Sequence, residues 1–145
     1  AVTEAVKDFT STLQDYPLQI EFEEDPRSPI CSLAPLEFEL AVFNLLKNAK
    51  EALKAQKADE PKLFIKLSSS ETHCFVDISD NGAVISDSDF ERMGSVFKSG
   101  KASGLGIGLS IVRSIVQNHN GSLVLERGKN GGLVCRIRLP ILNTE

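Results

Sequence analysis

The chain is short of the residues on which much metal and redox chemistry depends. Its 145 residues include two histidines, no tryptophan, one methionine and three cysteines. The cysteines stand far apart with no paired spacing, which predicts reduced thiols in a cytoplasmic protein and argues against a zinc site or a disulfide framework. Histidine chemistry is limited to two candidates, His73 and His119.

Long apolar runs and an excess of basic charge are also missing. No hydrophobic stretch approaches the roughly 20 residues that a membrane span needs, and the sequence opens on no signal-peptide pattern. Sixteen basic against 20 acidic residues give a net charge of −4, which argues against nucleic acid as the main ligand. With 41% hydrophobic and 25% charged residues, the composition predicts one ordinary domain over residues 1–145.

Hydrophobic periodicity predicts an α/β two-layer sandwich. Short turns between most strands favour a mixed, largely antiparallel sheet that about three helices cover on one face. Residues 86–106 are expected to be irregular, and a loop of this length in a compact domain is usually a functional lid. The predicted elements are helices near 2–13, 35–57 and 107–119, and strands near 18–22, 30–33, 63–67, 74–80, 123–127 and 133–139.

The long helix near 35–57 carries two asparagines in its middle. At 100° per residue, Asn44 and Asn48 fall on one stripe at the border of the apolar face. Asparagine is a mediocre helix former, and an amide oxygen is a suitable neutral ligand for Mg²⁺. A solvated polar edge explains the stripe equally well, so both interpretations stay open on the helix alone.

The same wheel places a small apolar group outside the core arc. Leu36, Leu40 and Phe43 fall on the side that carries the lysines. Such a patch predicts a contact with a partner or a neighbouring linker. Packing beneath residues 1–15 of the same domain is the alternative.

A strand near 74–80 ends in Asp80-Asn81-Gly82. Asp80 shares the parity of the apolar positions, so its carboxylate is expected to face the buried layer and to need a donor partner. An amino group such as that of adenine would serve. The alternative is a simple turn that the Asp and Asn side chains shape.

A glycine-rich segment, Gly104-Leu105-Gly106-Ile107-Gly108, runs directly into a predicted apolar helix. Glycines and a helix N-terminus together favour phosphate binding. The segment matches neither the dinucleotide fingerprint, since no strand leads into it, nor a Walker loop, since no Gly-Lys-Ser/Thr follows. A tight join between loop and helix is the alternative.

Taken in order, these segments resemble the ATP-binding catalytic domain of bacterial sensor histidine kinases, which have the Bergerat fold. The resemblance covers about residues 30–140, with residues 1–15 as an opening helix or linker, and the Asn-Leu-Leu-x-Asn-Ala segment is most similar to the nitrogen-regulation, oxygen-sensing and dicarboxylate-sensing branch. The matching segments are the N box at 44–49, the first glycine box at 80–82, the lid segment with Phe90, Phe97 and Lys101, the second glycine box at 104–110, and the closing Gly131-Gly132 and Leu139-Pro140.

The resemblance implies a role for each matching residue. Asn48 would coordinate a Mg²⁺ ion that bridges the ATP phosphates. The catalytic residues would be Asn44, which lies beside it, and Lys101, which would meet the terminal phosphate. Asp80 would accept a hydrogen bond from the adenine amino group, and Gly82 would let the base approach. Phe90 and Phe97 would anchor the lid, and the further nucleotide-binding residues would be Ile85, Gly104, Leu105, Gly106, Gly108 and Leu109.

The resemblance also implies a reaction and its partners. The domain would transfer the γ-phosphate of ATP to a histidine on a separate dimerisation domain of a homodimeric parent kinase, which would serve a response regulator. Sensor and dimerisation domains are not recognisable in the 145 residues, so we expect a monomeric, cytoplasmic catalytic fragment of a parent that a membrane segment elsewhere could anchor. Neither His73 nor His119 has the phosphoacceptor context, so autophosphorylation by this fragment alone is not expected.

Two departures from the family pattern support an alternative. Val84 stands where a second glycine is usual, and Leu133 where a threonine is common. A degenerate nucleotide-binding or interaction module without turnover is therefore one alternative, and a serine-directed kinase of the anti-sigma type is another. Hydrolysis is disfavoured, because related ATPases carry a glutamate as general base where this chain has Asn44.

Overall fold

A computed structural model describes residues 2–13, 16–24, 35–92 and 106–141. The predicted strand near 30–33 lies outside these ranges. Residues 87–92 have helical backbone and are called α3 here. The other elements are α1 (Val2–Ser11), β1 (Gln19–Glu24), α2 (Pro35–Ala55), β2 (Lys62–Ser69), β3 (His73–Asp80), α4 (Gly106–Asn118), β4 (Ser122–Arg127) and β5 (Leu133–Pro140).

The five described strands form one mixed sheet in the order β1-β2-β3-β5-β4. β1 is parallel to β2, and the other pairs are antiparallel. The parallel pair needs a crossover connection, which contains α2, whereas short turns join β2 to β3 and β4 to β5. The expectation of a mixed, largely antiparallel sheet is confirmed.

The core lies between the sheet and the helices on one of its faces. α2 is the central helix, since it packs against α1, α4 and the sheet. Within the apolar face predicted for this helix, Ala49 and Ala52 are only partly buried, which leaves space beside them. The fully buried side chains of the core include Phe38, Val42, Leu46, Leu53, Leu63, Ile65, Val112, Val116 and Ile137.

The first helix is packed on the body. Phe9 is 1% exposed and meets Phe43 of α2 edge to face, with 6.1 Å between the ring centroids. Phe43 therefore packs beneath α1, as the alternative interpretation held. Leu36 and Leu40 are 80% and 49% exposed, so their contact with a partner stays a prediction.

The prediction of three reduced cysteines is wrong for Cys74, which is disulfide-bonded at the start of β3. Spacing along the sequence carries no information on which cysteines meet in space. Cys135 is free and buried, and Cys31 lies outside the described residues. Within the described ranges, no helix is both long and apolar enough to span a bilayer.

The sequence predicted that residues 86–106 are irregular, but the two ends of this segment are helical. Ser86 starts α3, because its carbonyl accepts from the Phe90 amide at 2.9 Å and its hydroxyl accepts from the Asp89 amide at 3.2 Å. The second glycine of the glycine-rich segment, Gly106, already belongs to α4. Residues 93–105, where a lid was predicted, lie outside the described ranges.

We expect Phe9→Ala to lower the free energy of unfolding by about 3–5 kcal/mol, because it removes a fully buried ring between α1 and α2. Chemical denaturation measures this, and Lys7→Ala, at an exposed site of the same helix, is the matched control. Equal stability of Phe9→Ala and wild type would contradict the packing of α1 on the body.

Candidate nucleotide-binding site

A pocket opens between α2 and the sheet, beside the two alanines that leave the core incomplete. Its floor and walls are mostly apolar. Three polar side chains and one thiol also line it. They are Asn48 from α2, Gln56 directly after α2, Asp80 from β3 and Cys135 from β5. The apolar lining residues are Leu45, Ala49, Ala52, Ile78, Ile85, Leu125 and Leu133.

Asp80 lies at the end of β3 with its carboxylate half-buried. Its Oδ1 accepts from the Gly82 amide at 2.8 Å, and its Oδ2 accepts from the Leu133 amide at 3.4 Å. Burial raises the pKa of this carboxyl, and the two backbone hydrogen bonds oppose the rise. The strand parity that placed Asp80 on the buried side is therefore correct, and the carboxylate is held by main-chain donors.

The chain can approach Asp80 this closely only because two neighbouring residues have no side chain. A Cβ at Gly132, where φ is +75°, would lie 2.6 Å from Asp80 Oδ1, and one at Gly82 would lie 2.7 Å from the same oxygen. Leu133, which stands where the family commonly has a threonine, follows Gly132 and donates its backbone amide to Asp80. Loss of the threonine thus leaves Asp80 with a donor from β5.

In the turn after β3, Asn81 and Asp80 have different roles. Asn81 is structural, because its amide donates to the Glu60 carbonyl at 2.7 Å and accepts from the Lys62 amide at 2.8 Å. Asp80 caps the turn and also lines the pocket. Val84 is 81% exposed and is not among the described residues with positive φ, so this loop forms without a glycine there.

The two asparagines of α2 have different surroundings. Asn48 lines the pocket, and its Nδ2 is buried without a hydrogen-bond partner among the described residues. A buried amide without a partner is costly, so a ligand oxygen at this position would remove the cost. Asn44 donates through Nδ2 to the Leu40 carbonyl at 2.8 Å on its own helix, and its predicted catalytic role stays a prediction.

Cys135 lies on β5, the strand next to β3 in the sheet, and its thiol is close enough to Asp80 to feel the charge of that carboxylate. Burial first, and the charge of Asp80 second, raise the pKa of this thiol to about 12. The thiol therefore remains protonated at neutral pH. The protonated thiol contributes a weakly polar surface to the pocket and is not a nucleophile.

The loop Ala83–Ile85 lies at the edge of the pocket and is called its outer wall here, because Ile85 at the end of the loop lines the pocket. The predicted contact of Ile85 with a nucleotide stays a prediction. Arg127, at the end of β4, donates to the Ile85 carbonyl at 3.2 Å and to Asp87 at 2.5 Å. Its guanidinium also lies over the ring of Phe90, 5.1 Å from the centroid, which agrees with the prediction that Phe90 packs on the body.

The remaining predicted residues belong to the glycine-rich segment and the lid. Gly106 and Gly108 lie in the first turn of α4, and Leu109 follows them in the same helix, although its side chain is not described. Four predicted residues lie outside the described ranges: Phe97, Lys101, Gly104 and Leu105.

Sequence reasoning missed Gln56 and Gly132. Gln56 falls about 120° from Asn44 on the α2 wheel, so a polar residue at an apolar angle was the signal that could have revealed it. Gly132 belongs to a glycine doublet that was recognised only as part of the family's closing segment. Its contact with Asp80, 52 positions away in the chain, has no local signature.

The two histidines lie where the sequence placed them. His73 opens β3 and its Nδ1 is 2.7 Å from the Thr72 hydroxyl. His119 follows α4 and its Nδ1 is 2.8 Å from the Ile115 carbonyl. Neither histidine lines the pocket.

The geometry suits a flat apolar group with one polar edge. Such a group would slide between α2 and the sheet, with its donor edge at Asp80 and an acceptor near Asn48. A mixed sheet with helices on one face and this pocket define the class, a nucleotide-binding domain of the Bergerat fold. The chain belongs to the family of histidine kinase-, DNA gyrase B- and HSP90-like ATPases, whose model matches residues 34–143.

Sensor kinases are among the proteins to which the chain is similar. It is 29% identical over 123 residues to the sensor protein FixL of Bradyrhizobium diazoefficiens, covering 85% of this chain and 24% of that protein. It is 33% identical over 103 residues to the C4-dicarboxylate transport sensor protein DctS of Rhodobacter capsulatus, covering 71% of this chain and 16% of that protein. The chain thus spans a quarter or less of the length of these two relatives.

Solved structures confirm the fold. The catalytic domain of histidine kinase ThkA superposes with a TM-score of 0.80 at 23% identity, covering 97% of this chain and 89% of that one. The chain therefore has the fold of histidine kinase catalytic domains. What it does with a nucleotide is a separate question.

The raised pKa of Asp80 makes a prediction about stability. Its folded-state pKa lies above the unfolded value, so the folded state loses stability as this carboxyl ionises. The unfolding free energy of wild type minus that of Asp80→Asn should therefore fall as the pH rises from below about 4 through the raised pKa. Urea denaturation across this pH range measures the difference.

The matched control for that series is Asp59→Asn, which removes an exposed carboxyl. A difference between wild type and Asp80→Asn that is constant with pH, or that grows as the pH rises, would contradict the desolvation of Asp80.

Proposed function

We propose that this domain binds Mg·ATP in the pocket and transfers the γ-phosphate to a histidine on the dimerisation domain of its parent kinase. The observation that carries the proposal is one apolar slot with a half-buried carboxylate, Asp80, and a buried amide without a partner, Asn48. Family membership supports ATP as the ligand.

Asp80 is proposed to recognise the adenine. Its two oxygens already accept backbone hydrogen bonds, and each carboxylate oxygen can accept another. The exocyclic amino group of adenine is a donor that fits this acceptor, and the apolar walls fit the faces of the ring. Burial raises the pKa of Asp80, so a ligand donor would also relieve the cost of desolvation.

Asn48 and the start of α4 are proposed to hold the phosphates. Asn48 can offer Nδ2 to a phosphate oxygen and Oδ1 to Mg²⁺, which are the two functions of an amide. The backbone amides of the first turn of α4, at Gly106 and Gly108, favour a negative charge. Lys101, Gly104 and Leu105 are proposed to complete this end, as the family resemblance implies.

Transfer is proposed in preference to hydrolysis. Asp80 is the only carboxylate among the described residues that line the pocket, and its oxygens are engaged with backbone amides. The side chain of Asn44 cannot take a proton from water. When bound, Mg²⁺ supplies the charge neutralisation that phosphoryl transfer needs, and positioning by the protein does most of the rest.

The phosphoacceptor is proposed to come from outside this chain. His73 and His119 are both engaged near a strand start and a helix end, and neither lines the pocket. The relatives are much longer than the matched region, so a separate dimerisation domain is the natural acceptor. A response regulator would then receive the phosphate from that domain.

The test mixes the domain with the dimerisation domain of its parent and with Mg²⁺ and γ-labelled ATP. We expect an acid-labile, alkali-stable label on the dimerisation domain and none on this domain alone. Asn48→Asp places a negative charge near the phosphates and should reduce the rate at least about tenfold, or about 1.4 kcal/mol. Calorimetry of ATP binding to the same variants separates a loss of binding from a loss of transfer.

Asn118→Asp, at an exposed site near the end of α4, is the matched control and should transfer at the wild-type rate. Tight ATP binding without transfer, where the intact parent transfers, would support a module without turnover. An acid-stable label would support a serine-directed kinase. Equal ATP binding by Asn48→Asp and wild type would show that the site is misassigned.

A further inference from the structure

The outer wall of the pocket is held by hydrogen bonds rather than by burial. The wall is the loop Ala83–Ile85, whose middle residue, Val84, is 81% exposed. The Ala83 carbonyl accepts from the amide of Gly132 at 2.9 Å, so the backbone of the turn that precedes β5 holds one side. Two side chains from other elements hold the rest.

Gln56 holds the wall from the end of α2. Its Oε1 accepts from the Ala83 amide at 2.8 Å. The side chain lines the nucleotide pocket and also the adjoining cleft under the Asn81–Ala83 turn. Movement of Gln56 would therefore release the wall and widen the pocket together.

Arg127 holds the wall from the end of β4. One nitrogen, Nη1, donates both to the Ile85 carbonyl at 3.2 Å and to Asp87 at 2.5 Å. The Asp87 side chain is 89% exposed, so the ion pair alone is worth little. Through its contacts with the Ile85 carbonyl and the Phe90 ring, the guanidinium connects β4 to the wall and to α3.

We propose that Gln56 and Arg127 are positioning residues that keep the Ala83–Ile85 wall closed on the bound nucleotide and thereby set its dissociation rate. The inference rests on the proposed function and concerns its regulation. Neither residue is assigned a contact with the reacting phosphate. Loosening the wall should speed release of the nucleotide while leaving its association nearly unchanged, because changes at one binding site act mainly on the dissociation rate.

Hydrogen exchange on the nucleotide-free protein tests the mechanical part. Peptides that cover residues 81–92 should exchange faster in Gln56→Ala and in Arg127→Ala than in wild type. Gln56→Glu keeps an oxygen that can accept from the Ala83 amide and should restore protection. Arg127→Lys loses the planar fork and should restore it only in part.

Stopped-flow displacement of a fluorescent ADP analogue, with Mg²⁺ present, tests the functional part. Each alanine variant should release the analogue about three- to tenfold faster, the factor that corresponds to one hydrogen bond. The association rate should stay within about twofold. Matched controls are Gln117→Ala on α4 and Arg138→Ala on β5, both at exposed sites.

Wild-type exchange and wild-type dissociation in both alanine variants would overturn this inference and leave the proposed function standing. A failure of the wild-type protein to bind the analogue would instead overturn the proposed function, and with it the assignment of the wall to a nucleotide. Melting curves of all variants serve as the control that distinguishes faster release from unfolding.

Discussion

The rest of the site depends on holding one half-buried carboxylate at the end of a central strand. Asp80 loses hydration there, and its raised pKa records the cost. The Gly82 and Leu133 amides compensate in part. That arrangement requires glycine at position 82 and at position 132, because a Cβ at either place would lie within 2.7 Å of Asp80 Oδ1.

α2 supplies the complementary wall and shows the same compromise between stability and function. Small residues, Ala49 and Ala52, occupy positions where larger side chains would complete the core. The buried Nδ2 of Asn48 has no partner among the described residues. A desolvated carboxylate and an unpaired amide in one pocket are each unfavourable for folding alone, and functional sites are where such departures from good packing concentrate.

Periodicity was sufficient for the residues whose role follows from their own element. Strand parity placed Asp80 on the buried face, and the helical wheel placed Asn48 at the edge of the core. Gln56 and Arg127 could not be predicted in this way, since their partners lie 27 and 40 or more positions away. The parallel pairing of β1 with β2 and the disulfide of Cys74 likewise depend on tertiary proximity, which alternation and spacing do not encode. The predicted roles of Lys101 and Gly104 concern residues outside the described ranges and stay predictions.

The central claim is that Asp80 reads the amino group of adenine, and a comparison of two nucleotides tests it most directly. Binding of ATP and of purine riboside triphosphate, which lacks that amino group, is measured calorimetrically on wild type and on Asp80→Asn. We expect wild type to prefer ATP at least about tenfold, as a hydrogen bond to a charged group implies. In Asp80→Asn the Oδ1 remains with the Gly82 amide and the new amide nitrogen faces the amino group, so the preference should vanish. Equal preference in the two proteins would contradict the claim.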